Sequence, residues 1–142
     1  MANYYGYTRS NYFAVKDEEE FRQIIDSCSV SEDDMSIFEH EQNGQKYFGF
    51  GSYGSISGFP GGEDEDDCEY DLNAFHHALQ QVVADGHAVI ITEIGWEKLR
   101  YLVGDCTIIT PNEIRYFNLR DTTLAVAREM LSDPVYSPRM EY

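Results

Sequence analysis

The chain has 142 residues, enough for one domain with a sizeable core, and its 42% hydrophobic and 14% aromatic content excludes an acidic disordered protein. A formal net charge of -16 must then lie on a folded surface, where it repels itself and excludes direct binding to nucleic acid. Three widely spaced cysteines, Cys28, Cys68 and Cys106, do not describe a disulfide framework; with no leader pattern and no apolar run near about 18 residues, the expectation is a protein of the reducing cytoplasm without membrane association.

The opening segment, Tyr4 to Val15, is rich in aromatic and β-branched residues and predicts a strand. Asp17 has the place of an N-cap, with Glu20 three residues on and Phe21, Ile24, Ile25 and Cys28 at helical spacing, so a first helix is predicted near 18–28. Glu18, Glu19 and Glu20 fall in its first turn, where acids complement the helix dipole. Residues 35–42 and 45–50 flank Asn43-Gly44, the strongest hairpin signal in the chain. A Gly-rich and then acidic loop is expected over about 51–69, longer than compact domains tolerate without a role.

A second helix is predicted over roughly Tyr70 to Ala84, with Leu72, Phe75, Leu79, Val82 and Val83 on one face and a glycine stop at Asp85-Gly86. Short strands follow at 88–94, 99–103, 107–110 and 114–118, broken at Gly95-Trp96, Gly104-Asp105 and Pro111-Asn112. A last helix opens at Asp121 as N-cap and stops before Pro134, leaving 135–142 as a loose tail. The order predicts a single α+β domain over 1–134, a mainly antiparallel sheet with two to three helices on one face.

Gly49-Phe50-Gly51-Ser52-Tyr53-Gly54 matches a dinucleotide-loop pattern, but no helix follows it and carboxylates that would repel phosphate do. Asp64, Asp66, Glu69 and Asp71 offer oxygen ligands without the glycine and glutamate of a calcium loop, and adjacent His76 and His77 diverge by about 100° on a helix, so no metal or other cofactor is expected. His76 reads as an edge-of-core residue and His77 as solvent-facing. Cys68 stands among carboxylates that disfavour its thiolate, while Cys28 and Cys106 occupy apolar helix and strand positions and read as small core residues. No nucleophile elbow or catalytic triad pattern is present, and the reading is a protein without enzymatic activity.

The charge itself is the signal. Residues 1–71 hold 17 Asp and Glu against 4 Lys and Arg, net -13, whereas 72–142 hold 9 against 6, net -3. Seven of the nine residues from Glu63 to Asp71 are acidic: Glu63, Asp64, Glu65, Asp66, Asp67, Glu69 and Asp71. If this stretch is extended, alternate carboxylates line one side at about 6.6 Å, a row that a phosphate-binding groove of Lys and Arg would accept in place of nucleic acid. Asp17, Glu18, Glu19 and Glu20 form a second patch, and Glu32, Asp33 and Asp34 a third. The plainer alternative is that Asp67, Glu69 and Asp71 cap the second helix while the rest keeps the loop soluble.

Three segments carry a resemblance: Tyr5-Gly6-Tyr7-Thr8-Arg9-Ser10-Asn11-Tyr12-Phe13 with Val15-Lys16-Asp17, Phe48 to Gly54, and Glu97-Lys98-Leu99-Arg100-Tyr101-Leu102-Val103-Gly104. They resemble segments of small acidic proteins encoded on conjugative elements and prophages. In charge and size the chain is similar to antirestriction and anti-CRISPR inhibitors, several of which imitate DNA. The resemblance implies a non-enzymatic inhibitor that occupies the basic nucleic-acid groove of a bacterial defence nuclease. The alternative is an immunity or accessory module that neutralises a basic partner without imitating DNA, its carboxylates gathered around an aromatic anchor such as Phe59 or Tyr70.

Overall fold

The computed structural model describes residues 4–32, 34–61 and 69–139, apart from the Tyr101 side chain. Twelve elements follow in order: β1 (Tyr5–Ser10), α1 (Glu18–Asp26), β2 (Ser29–Val30), β3 (Ser36–Gln42), β4 (Gln45–Tyr53), β5 (Ile56–Pro60), β6 (Tyr70–Asp71), α2 (Leu72–Val82), β7 (Val89–Glu97), β8 (Tyr101–Ile109), β9 (Ile114–Asn118) and α3 (Leu119–Leu131). Six strands form one antiparallel sheet in the order β3-β4-β1-β7-β8-β9, and β2-β5-β6 form a small second sheet. The fold is α+β, as the element order predicts.

Strand alternation decides the two faces of the large sheet. Phe48 and Phe50 on β4, Val89 and Ile91 on β7 and Ile109 on β8 point to one side, where α1 and α2 cover them with Phe21, Ile24, Ile25, Phe75, Leu79 and Val82. The centre is aromatic. Phe13 meets Phe21 and Phe50 edge-on at 5.6 and 6.2 Å, and Phe75 meets Phe50 and Phe59 edge-on at 5.9 and 5.7 Å, the offset geometry that ring quadrupoles favour.

Both covering helices start where local chemistry starts them. Asp17 accepts from the Glu20 amide at 3.1 Å, and Asp71 accepts from the Ala74 amide at 2.8 Å, each satisfying an otherwise orphaned first-turn donor. The Lys16 amide donates to Val82 O at 2.8 Å, while Ser29 just past α1 pairs with Gly58, whose backbone abuts Leu72. The two helices therefore run in opposite directions. Asn43 and Gly44 both hold positive φ, 54° and 80°, and turn β3 into β4 as the dipeptide predicts.

Several boundaries differ from the sequence expectation, each for a tertiary reason. The stretch expected as a long loop from 51 contains the end of β4 and all of β5; residues 62–68 lie outside the described residues. Tyr70 and Asp71 pair with Pro60 and Phe59, so α2 begins only at Leu72, and Val83 leaves the helix early to bridge Val15. Gly86 therefore sits beyond a helix that has already ended. Gly95-Trp96 and Gly104-Asp105 interrupt nothing: each lies inside a nine-residue strand. The last helix is capped by Asn118, not Asp121, whose amide Asn118 accepts at 2.7 Å.

Glycines inside strands mark crossings. Gly6 and Gly95 face each other across β1 and β7, and any side chain on either would meet the Tyr4 ring that lies over them. A side chain at Gly104 would likewise strike Leu119. At Gly58, with φ of 108°, a Cβ would stand 2.6 Å from Leu72 backbone atoms, so only glycine lets β5 approach the start of α2.

Candidate functional site: an acidic side and an open sheet face

The sequence-predicted acidic residues fall into three places. Asp17, Glu18, Glu19 and Glu20 surround the start of α1. Glu69 and Asp71 lie at the start of the antiparallel α2, about 16 Å away by the length of an eleven-residue helix. Glu32 and Asp34 follow β2, and Glu32 reaches Gly54 at the opposite end of β5 from Glu69. Glu63, Asp64, Glu65, Asp66, Asp67 and Asp33 lie outside the described residues. The structure therefore brings the described patches to the helix-covered side and the small sheet, at opposite ends of the helix pair.

Two of these carboxylates have structural duties as caps, and a third is partly neutralised. Glu18 stands 3.9 Å from Arg22 and 3.5 Å from Lys46. Arg22 also pairs with Glu39 on the adjoining strand. Glu19, Glu20, Glu32, Asp34 and Glu69 are solvent-exposed. Tyr70, 48% exposed, stands between Glu69 and Asp71, whereas Phe59 is turned inward against Phe75.

Among the described residues, the opposite face of the six-stranded sheet is covered by neither α1 nor α2, and α3 meets it only at the β8–β9 edge, where Leu119 lies over Gly104. Among the described residues its strand positions run from Tyr5, Tyr7 and Arg9 on β1 to Arg115 and Phe117 on β9, and none is Asp or Glu. The strand carboxylates Glu39, Glu41, Glu93, Glu97 and Asp105 all take the other phase of the alternation. In a chain with 26 Asp and Glu this is a sharp segregation. The margins are acidic, at Asp34 before β3, at Glu113, which pairs with Arg115 at 2.6 Å, and at Asp121 of α3, which borders a hollow with Leu102 and Gly104. Trp96 lies on this face beside Tyr5, ring centroids 6.1 Å apart, and Tyr7 lies beside Tyr53 at 5.4 Å. Arg9 covers Phe38 at 5.8 Å.

A second cluster escaped the sequence reading. Glu93 on β7 and Asp105 on β8 are directly opposite, a like-charge pair that costs stability unless other groups compensate. They border a cavity of about 90 Å³ beside Thr8, Phe75, His76, Thr107 and Tyr116. Tyr4 Oη donates to Glu93 Oε2 at 2.8 Å, while Thr8 Oγ1, 3.4 Å from Oε1, gives its one proton to Gly54 O at 2.8 Å. Burial and then the Glu93 carboxylate push the Tyr4 hydroxyl well above the ordinary phenol range; burial and the bond to Asp105 push Tyr116 upward too. Both phenols are thereby held as donors, which suits them to satisfying carboxylates and unsuits them as bases or nucleophiles. Burial lowers His76, consistent with its expected place at the edge of the core; His77 is exposed. The sequence signal was present: an acid at the inward phase of each of two apolar strands.

Among the described residues no group of three or more His, Cys, Asp or Glu could hold a metal ion, and no helix is long and apolar enough to cross a membrane. Cys28 is half-buried against the core, and burial raises its thiol to about 11; Cys106 is half-buried on the open face, not in the core. Cys68 lies outside the described residues. No protein family, curated protein or solved structure matches the chain.

Proposed function

We propose that this protein is a non-enzymatic inhibitor whose acidic side occupies a basic nucleic-acid groove on another protein, a bacterial defence nuclease of the restriction or CRISPR type, and so excludes nucleic acid from it. The observation that carries the reading is the segregation of charge: exposed carboxylates gather on the helix-covered side and small sheet, and among the described residues the strand positions of the opposite face have none. A groove that binds phosphates through Lys and Arg is attracted to such a surface by the same complementarity of charge. Gly61 and Glu69, which flank the rest of the acidic run in sequence, are held together on this side by a 2.8 Å backbone hydrogen bond.

Association driven this way is fast and falls with salt, because steering fields are screened beyond about 10 Å at ordinary ionic strength. The test is displacement of labelled DNA from a restriction or CRISPR effector nuclease by the purified protein. Displacement at low salt that fades at high salt is expected. The variant Glu63→Gln, Glu65→Gln, Asp67→Asn, Glu69→Gln should lose displacement while retaining its melting temperature, and unchanged displacement would overturn the proposal. Asp71 belongs in a second variant as Asn, which caps a helix as well as Asp does, so that a lost charge is not confused with a lost cap.

A second reading is favoured by Tyr70, an exposed aromatic between two acids, which is the form of an anchor in a mixed interface. An immunity or accessory module of that kind binds a basic protein that DNA cannot displace. Retention of the partner against competing DNA, lost in Tyr70→Ala, would select it.

A further inference from the structure

We infer that the carboxylate-free face of the six-stranded sheet is the interface of a homodimer, in which a second copy of this chain packs its own sheet against it face to face. The first support is exposure of the kind that solvent does not favour. Tyr7, Tyr53, Ile94 and Leu102 project from this face at 56%, 57%, 59% and 78% exposure, next to Trp96, and form one continuous patch and not scattered single residues. Leu119 at the start of α3 extends the patch over Gly104.

The second support is charge. Two copies that each carry -16 repel one another, and in a twofold pairing each surface meets itself. Among the described residues, the strand positions of this face bring no carboxylate onto its own image. Its charged strand residues are arginines, and Arg9, which lies on Phe38, shares a hollow with the acidic margin at Asp34.

The third support is area. Six strands spaced about 4.8 Å apart, with five to nine residues rising about 3.3 Å each, make a face of roughly 25 by 25 Å, near 600 Å² per copy. Two such faces bury about 1,200 Å², which reaches the lower bound of specific, stable interfaces. Side-chain relief and Leu119 add to it. The ring pairs on the face are already fixed by neighbours within the monomer, which lowers the side-chain entropy lost on association.

This interface and the proposed acidic one respond to salt in opposite directions. Salt screens the repulsion between two -16 molecules, so dimerisation strengthens as salt rises, while binding to a basic groove weakens. The experiment is sedimentation equilibrium of the full chain across the micromolar range, at low salt and at about 0.5 M salt, together with Trp96 emission on dilution. A mass of twice 16.3 kDa, rising in population with salt, is expected, with Trp96 shifting to the red as the dimer dissociates. The variant Tyr7→Glu, Ile94→Glu should dimerise about a hundredfold more weakly or less still, since it places carboxylates against their images in a desolvated face. Both positions project more than half out of the monomer, and since they pair directly across β1 and β7 the two carboxylates also cost the fold some stability, so the melting temperature of the variant is read alongside. A wild-type monomer throughout, a dimer that weakens with salt, or a folded variant that dimerises as tightly as wild type would each overturn the inference. Should the variant not fold, the dilution response of Trp96 in the wild type decides, because a dimer formed through any other surface leaves that emission unchanged.

Discussion

Replacing Gly95 with alanine tests how the Glu93 and Asp105 pair is held. The Tyr4 ring crosses the paired Gly6 and Gly95, and the three atoms nearest to a Cβ at position 95 all belong to Tyr4. Gly95→Ala should therefore expel the ring and break the 2.8 Å bond from Tyr4 Oη to Glu93. A hydrogen bond to a charged group is worth about 1.5–3 kcal/mol, and the partial exposure of this one places it near the lower end, about 1.5 kcal/mol. Alanine in a strand interior is itself better than glycine by about 0.5–1 kcal/mol. The single variant should lose about 1 kcal/mol net, whereas in a Tyr4→Ala background Gly95→Ala should gain about 0.5 kcal/mol, a coupling of roughly 1.5 kcal/mol. Urea unfolding of the four proteins in the cycle measures it. Equal effects of Gly95→Ala in the two backgrounds would refute the crossing as the reason for glycine there.

Phe75→Ala removes the ring that joins the two sheets through Phe50 and Phe59, and should cost about 3–5 kcal/mol in urea unfolding, a large share of the roughly 7–20 kcal/mol expected for a chain of this length. Gly58→Ala should cost about 2 kcal/mol or more, because a side chain there meets the backbone of Leu72 at a φ that L residues avoid; a change below about 0.5 kcal/mol would remove that account. The Cys28 thiol, raised by burial from 9.0 to about 11, favours its neutral form in the folded state. Its contribution is fully present below about pH 9 and is lost as pH rises through 11, so Cys28→Ala should flatten the fall in melting temperature between those values.

Local chemistry wrote part of this structure into the sequence. Asp17 three residues before Glu20 starts α1 because the cap needs only its own neighbourhood, and Asn43-Gly44 turns a hairpin because both residues tolerate positive φ. Alternation in the strands and the apolar stripes of α1 and α2 likewise fixed the α+β class. The acidic patches were legible as composition, and their placement was not: that Asp17 and Asp71 stand at opposite ends of one helix pair follows from α1 and α2 running antiparallel. Glycine misled where its neighbour was distant in sequence. Gly95 and Gly104 read locally as breaks, yet they admit Tyr4 and Leu119 across a strand, and β6 exists only because Pro60 lies beside Tyr70. The same holds for the open face. Period two shows that Tyr5, Tyr7 and Arg9 share one phase and Ile90, Thr92 and Ile94 another, but that the two sets lie on one face, and that the helices cover the other, depends on contacts between residues dozens of positions apart, and those the tertiary structure alone decided.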